Sequence, residues 1–238
     1  MSVFFQNGSN ALMIATKRDS PKFVECLLKH KAEVNKQEEN GWTALMIASV
    51  IGNPKVVESL LEYHAEVDKQ SKEGQTALMI AADEGHIEVV DDLLAAGAYV
   101  NKEKKNGWTA LMIASSKSDP EVVKSLLNDK AEVDKQSKEG QTALMIASNE
   151  GHIEVVDALL AVGAYVNKQK KDGSTALMNA TKCGHLDVVD CLLKHGADVN
   201  KKNKDGSTAL MNATKCGHLD VVDCLLKHGA DVNKKNKW

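Results

Sequence analysis

From Gly8 onward the apolar and polar positions return in the same order every 33 residues. In the third copy Thr76 precedes a short apolar run, Ala77, Leu78, Met79 and Ile80. A threonine there predicts a helix start, because its hydroxyl accepts a hydrogen bond from an otherwise unpaired helix N–H. Gly85 marks the end of this first helix, where a left-handed residue is wanted. Ile87, Val90, Leu93 and Leu94 then fall on one face of a second helix that stops at Gly97. The polar stretch YVNKEKKNG leads into the next copy and reads as a long turn. Each unit is therefore helix, turn, helix, loop. Helices of two to three turns are marginal alone, so the units must gain their stability by stacking on neighbours.

Gly8, Gly41, Gly74, Gly107, Gly140, Gly173 and Gly206 open seven such phrases. The recurring elements are a G-x-T-A-L start, a G-H turn, a V-V-x-x-L-L run and a G-A-x-V-N end. A 33-residue period carrying these elements in this order resembles the ankyrin repeat, and the match covers nearly the whole chain. The resemblance implies an all-α solenoid of stacked helix-turn-helix units with protruding loops and β-turns. It implies one domain, residues 1–238, with repeats near 5–37, 38–70, 71–103, 104–136, 137–169, 170–202 and 203–238. Two positions depart from the family phrase T-P-L-H. This chain has T-A-L-M in six repeats and N-A-L-M in the first. Methionine thus replaces a histidine that ties loops together in the family, and Met13 through Met211 are expected to pack at one place in every unit.

The first, second and fourth repeats begin their second helix with Ser20-Pro21, Asn53-Pro54 and Asp119-Pro120, each a capping residue before a proline at the first helical position. The same repeats lack glycine after that helix and carry Lys31, His64 and Lys130, each costing about 1 kcal/mol if left-handed. The second and fourth repeats resemble each other, as do the third and fifth. The sixth and seventh are identical, Asp172–Lys204 against Asp205–Lys237, which points to very recent duplication or deliberate construction; Trp238 fits no repeat position. The last unit has no polar substitutions on the side where a further repeat would pack, so it is expected to fray or to associate end to end with another molecule. Phe4, Phe5 and Phe23 are expected to shield the first repeat.

In ankyrin-like arrays partners contact the loop tips and the exposed side of the first helix. By position, the residue after each leading glycine is then a candidate: Ser9, Trp42, Gln75, Trp108, Gln141, Ser174 and Ser207. The first-helix ends supply Val50, Ile51, Asp83, Glu84, Lys117, Asn149 and Glu150, with Lys182 and Cys183 beyond them. Trp42 with Val50 and Ile51 is expected to form an apolar hot spot on the second repeat. A lysine ladder, Lys36, Lys69, Lys102, Lys135, Lys168, Lys201 and Lys234, offers an alternative edge for an anionic ligand, segregated from acids such as Glu58, Glu121 and Asp190 on the outward side of the second helices.

Composition narrows the function. Aromatic residues are only 4%, so aliphatic and small side chains must do the packing, and a net charge of −3 argues against a dedicated nucleic-acid binder. The five cysteines are odd in number and four come from the duplicated segment, which fits a reducing, intracellular, cytoplasmic setting rather than a disulfide framework. MSVFFQNGSN lacks the pattern of a signal peptide, and no apolar run has the length of a membrane span. No phosphate-binding glycine loop and no H-E-x-x-H or C-x-x-C pair occurs. Cys183-Gly184-His185 recurs as Cys216-Gly217-His218, but the histidine also appears as His86 and His152 without cysteine, so it follows the repeat rather than a zinc site. The expectation is a non-enzymatic scaffold for a protein or peptide partner on the concave loop and first-helix face, with no cofactor and no metal; the alternatives are an engineered or duplicated structural array with no evolved partner and an anionic ligand along the lysine edge.

Overall fold

The computed structural model describes residues 8–237, and among them fourteen helices and no strand occur. The chain divides into two compact units, Met1–Lys105 with Asn128–Ala131, and Asn106–Leu127 with Glu132–Trp238. The first holds α1 (Ala11–Lys17), α2 (Pro21–Lys29), α3 (Ala44–Ile51), α4 (Pro54–Glu62), α5 (Ala77–Glu84) and α6 (Ile87–Ala95). The second holds α7 (Ala110–Ser116), α8 (Pro120–Asn128, all but its last residue), α9 (Ala143–Glu150), α10 (Ile153–Ala161), α11 (Ala176–Cys183), α12 (Leu186–Lys194), α13 (Ala209–Cys216) and α14 (Leu219–Lys227).

Within the first unit α1 packs on α3 and α3 on α5, while α2 packs on α4 and α4 on α6. The second unit repeats the scheme with α7, α9, α11 and α13 in one row and α10, α12 and α14 in the other. The chain is thus an all-α repeat solenoid, as its periodicity predicts. Each first helix opens on a side-chain cap: Thr43 Oγ1 accepts from the Met46 N–H at 3.2 Å, and Asn10 Oδ1 does the same for Met13 at 2.9 Å. The methionine stripe is core in the first six repeats, with Met13, Met46, Met79, Met112 and Met145 all 1% exposed, while Met211 of the seventh is half-buried. Of the three expected second-helix caps, Asn53 and Asp119 form their bonds, to the N–H of Lys55 and of Val122. Ser20 forms no such bond, leaving Pro21 to set the start of α2.

The G-H turn has a mechanical role. His86 caps no helix with its ring; its Nε2–H donates to the Val50 carbonyl of the preceding repeat at 3.1 Å. A Cβ on Gly52 would lie about 2.5–2.6 Å from that ring, so the glycine is the seat for the next repeat's histidine. His152, His185 and His218 make the same bond to Ser116, Asn149 and Lys182.

The loop tips are joined as well. At the second repeat the Glu38 N–H donates to the Trp42 carbonyl, Gly41 turns at φ 80°, and the Lys72 N–H of the next tip donates to Asn40 at 2.8 Å. A Cβ on Gly41 would sit 3.0 Å from Lys72 N and 3.1 Å from Ser71 Cα. Gln37 Nε2 spans two tips, donating to the Gly41 carbonyl at 2.7 Å and the Gln70 carbonyl at 3.0 Å. Gln70 repeats this toward Glu103 in the first unit, and Gln136 toward Gln169 in the second. Loop tying thus passes from a histidine to this glutamine ladder, which the sequence reading did not single out.

Lys31, His64 and Lys130 are left-handed, at φ 62°, 62° and 65°. Asp19 and Ser118 are left-handed too, at the first-helix ends where other repeats carry glycine. Phe23 occupies the place that Val56 fills in the second repeat, yet it is 68% exposed where Val56 is 1%. Its expected shielding of the first repeat therefore leaves a large apolar ring in solvent; Phe4 and Phe5 lie outside the described residues.

The identical sixth and seventh repeats form an internal control. Leu186 is 38% exposed and Leu219 72%; Leu193 is 8% and Leu226 40%. Thr181 is buried and Thr214 exposed. Sequence is constant, so the neighbour alone makes the difference. We expect amides of α13 and α14 to exchange faster than those of α11 and α12 in the dilute chain. NMR is the suitable probe because the two repeats share one peptide sequence; equal protection would overturn the expectation. We also expect Gly41→Ala to cost at least about 1 kcal/mol in urea denaturation, through positive φ and close approach together, and Lys31→Gly to stabilise by up to about 1 kcal/mol.

Candidate functional site

Six of the candidate positions, Trp42, Val50, Gln75, Trp108, Gln141 and Asn149, share one property. Their backbone atoms are committed to the frame, while their side chains vary from repeat to repeat. The Trp42 N–H donates to Glu38 Oε1 at 3.1 Å, those of Gln75 and Gln141 donate to the hydroxyls of Ser71 and Ser137, and that of Trp108 to Asn106 Oδ1. At the first-helix ends, the carbonyls of Val50 and Asn149 receive the histidines described above. A side chain can change at such a place without breaking a framing bond.

Exposure divides the candidates. Glu84, Lys117 and Glu150 are exposed. Trp42, Val50, Ile51, Gln75, Asp83, Trp108, Gln141 and Asn149 are half-buried. The apolar trio of the second repeat is therefore partly covered rather than fully displayed. Asn149 donates its amide to Glu150 Oε1 at 3.0 Å, so these two act as a pair.

In the second unit the equivalent positions converge. Ser174, Asn179, Lys182, Ser207, Asn212 and Lys215 line one groove of about 310 Å³ across the sixth and seventh repeats. Asn179 and Asn212 were missed as candidates. They stand where Ile47, Ile80, Ile113 and Ile146 are buried in other repeats, and that change of polarity was the available signal. Asn179 Nδ2 donates to the Met145 carbonyl at 3.2 Å. At the groove's rim Lys170 lies 3.0 Å from Asp172. Partial burial opposes ionisation of Asp172, but the Ser174 N–H and the Lys170 ammonium outweigh it and lower the carboxyl.

The lysine ladder is partly neutralised. Lys36, Lys69 and Lys135 each pair with a glutamate three residues earlier, at 3.8, 3.3 and 3.5 Å. That leaves less charge for an anionic ligand than the sequence count implies.

The recurring Cys-Gly-His triplets do not form a site: His185 and His218 are spent on carbonyls of the preceding repeats. The second helices hold a different cysteine arrangement. Cys191 is 8% exposed, and its thiol donates to Asp157 Oδ1 at 2.9 Å. Burial first, then this bond and the Asp157 charge, push it up to about 12. Cys224 is also raised, by burial and then by the charge of Asp190.

A family model of ankyrin repeats matches residues 2–72, 52–137, 78–170 and 162–236. The chain belongs to the ankyrin-repeat family. Its ankyrin frame accounts for the glycines, the capping threonines and the G-H histidines, and leaves the varied loop-tip and helix-end side chains outside that frame. A search of curated proteins found no match to this ankyrin chain. No described helix is long and apolar enough to cross a membrane. Because the thiolate is the reactive form, we expect Cys191 to alkylate at least about tenfold more slowly than exposed Cys26 or Cys183 at about pH 8. Mass spectrometry checks this in a Cys216→Ser chain, where the peptide from the sixth repeat no longer shares its mass with that from the seventh, and equal rates would contradict the burial of Cys191.

Proposed function

We propose that this chain is a non-catalytic scaffold that binds a protein or peptide partner with its loop tips and first-helix ends. One observation carries the reading: framing bonds at Trp42, Gln75 and Val50 use backbone atoms, so their side chains can differ in service of recognition, and Ile51, Asp83 and Glu84 stand beside them in the first unit. In the second unit Trp108, Lys117, Gln141, Asn149 and Glu150 play the same part, and the groove of the sixth and seventh repeats extends it with Asn179, Lys182, Asn212 and Lys215. Tryptophan is the strongest anchor type at protein interfaces, so Trp42 and Trp108 head the set. The proposed setting is intracellular, given cysteines left as free thiols. The test uses partners captured by the intact chain. Trp42→Ala and Trp108→Ala together should weaken binding by about 2 kcal/mol or more, a thirtyfold change in Kd, with the melting curve little altered. Unchanged capture by the double variant would remove these positions from the site.

A second reading concerns the chain itself. The face of the seventh repeat that leaves Leu219 and Leu226 in solvent has the same sequence as the face of the sixth on which the seventh sits. A second copy offers an apolar counterpart in Ile14, 42% exposed, and Phe23. We propose weak head-to-tail association through these ends. Light scattering should then show a mass that rises with concentration and falls back to monomer in Leu219→Lys.

A further inference from the structure

We propose that Asp190, Cys224 and His228 form a divalent-metal site of the zinc class on the paired second helices of the sixth and seventh repeats. One ligand atom from each lies within 4.8 Å of the others. Cys224 and His228 stand one helical turn apart, with Cys224 Sγ 3.9 Å from His228 Nδ1. Asp190 reaches them from α12, which packs on α14. Tetrahedral bonds of 2.0–2.3 Å place ligand atoms roughly 3.3–3.8 Å apart, so the trio needs to close by only about 1 Å. Sulfur, imidazole nitrogen and carboxylate oxygen together suit Zn²⁺ and its probe Co²⁺ rather than Mg²⁺ or Ca²⁺, which take oxygen ligands. Water fills the fourth position.

The surroundings favour a cation. Asp187, Asp220 and Asp223 line the same open cleft, with Lys227 the cation on its wall. Lys194 sits 2.6 Å from Asp190 and must give way, but its side chain is 68% exposed and swings out readily. Nδ1 of His228 lies 2.9 Å from the Cys224 carbonyl, which holds the ring in place. A metal at Nε2 keeps that anchor, the arrangement common among metal-binding histidines, and one at Nδ1 exchanges it. Coordination forms a metal–sulfur bond and releases the thiol proton to solvent. One repeat earlier the equivalent trio is closed, because the Cys191 thiol is buried and bonded to Asp157. Among the described residues this is therefore the one such cluster.

The test is titration of the reduced 238-residue chain with Co²⁺, read by the ultraviolet thiolate-to-cobalt charge-transfer band. We expect the band to saturate near one equivalent and to vanish when Zn²⁺ is added. Cys224→Ser should abolish it, His228→Ala and Asp190→Asn should each weaken binding roughly tenfold or more, and Cys191→Ser should leave it unchanged. Circular dichroism establishes that each variant is folded; should Cys224→Ser unfold, the Asp190 and His228 variants carry the test. Absence of the band at saturating Co²⁺, or its persistence in Cys224→Ser, would overturn the proposal. So would full-strength binding in Asp190→Asn, which would reduce the site to an adventitious Cys-His pair.

Discussion

The whole structure depends on burial against the next repeat. Helices of seven to nine residues fall short of the length that persists alone in water, so each hairpin is stable only while a neighbour covers its apolar face. The identical sixth and seventh repeats isolate this term. Thirty-three residues with the same intrinsic preferences bury Leu193 and expose Leu226, because one hairpin has a successor and the other has none within the chain. Nothing in the amino acids of the unit itself supplies that difference.

Burial holds the units side by side but does not by itself fix their alignment. Directional bonds do that. A histidine from each G-H turn reaches a carbonyl of the preceding first helix, a glutamine ties one loop tip to the next, and tip N–H groups donate to the tip before. These bonds terminate on backbone atoms. The division of labour is structural: the acceptors are main-chain atoms, so these bonds do not depend on which side chain the accepting residue carries.

Much of the fold was legible because a period of 33 residues repeats capping threonines, apolar runs and turn glycines in one order. The left-handed Lys31, His64 and Lys130 were legible for the same reason, standing where sister repeats carry glycine. The candidate surface was less so. Val50 and Ile51 look exposed in the sequence, but the residue that closes over that helix end, His86, is a whole repeat away. The glutamine ladder escaped notice because each amide's second bond reaches 33 residues ahead. Asp190 and Cys224 are likewise brought together by stacking, 34 positions apart in the chain, and no local motif marks such a pair.

Exact duplication has a consequence for how the chain finds its fold. During folding the fifth repeat meets two candidate successors with the same surface, α11–α12 and α13–α14. Choosing the later one leaves a hairpin looped out, and lengthening the connection from residues 162–175 to residues 162–208, a little over threefold, costs only about 1 kcal/mol. The misregistered form forfeits one stacking interface, so equilibrium rejects it, yet its contacts nucleate nearly as fast as the native ones. Refolding from denaturant should consequently include a slow, slippage-correcting population that a chain with distinguishable sixth and seventh repeats would lack.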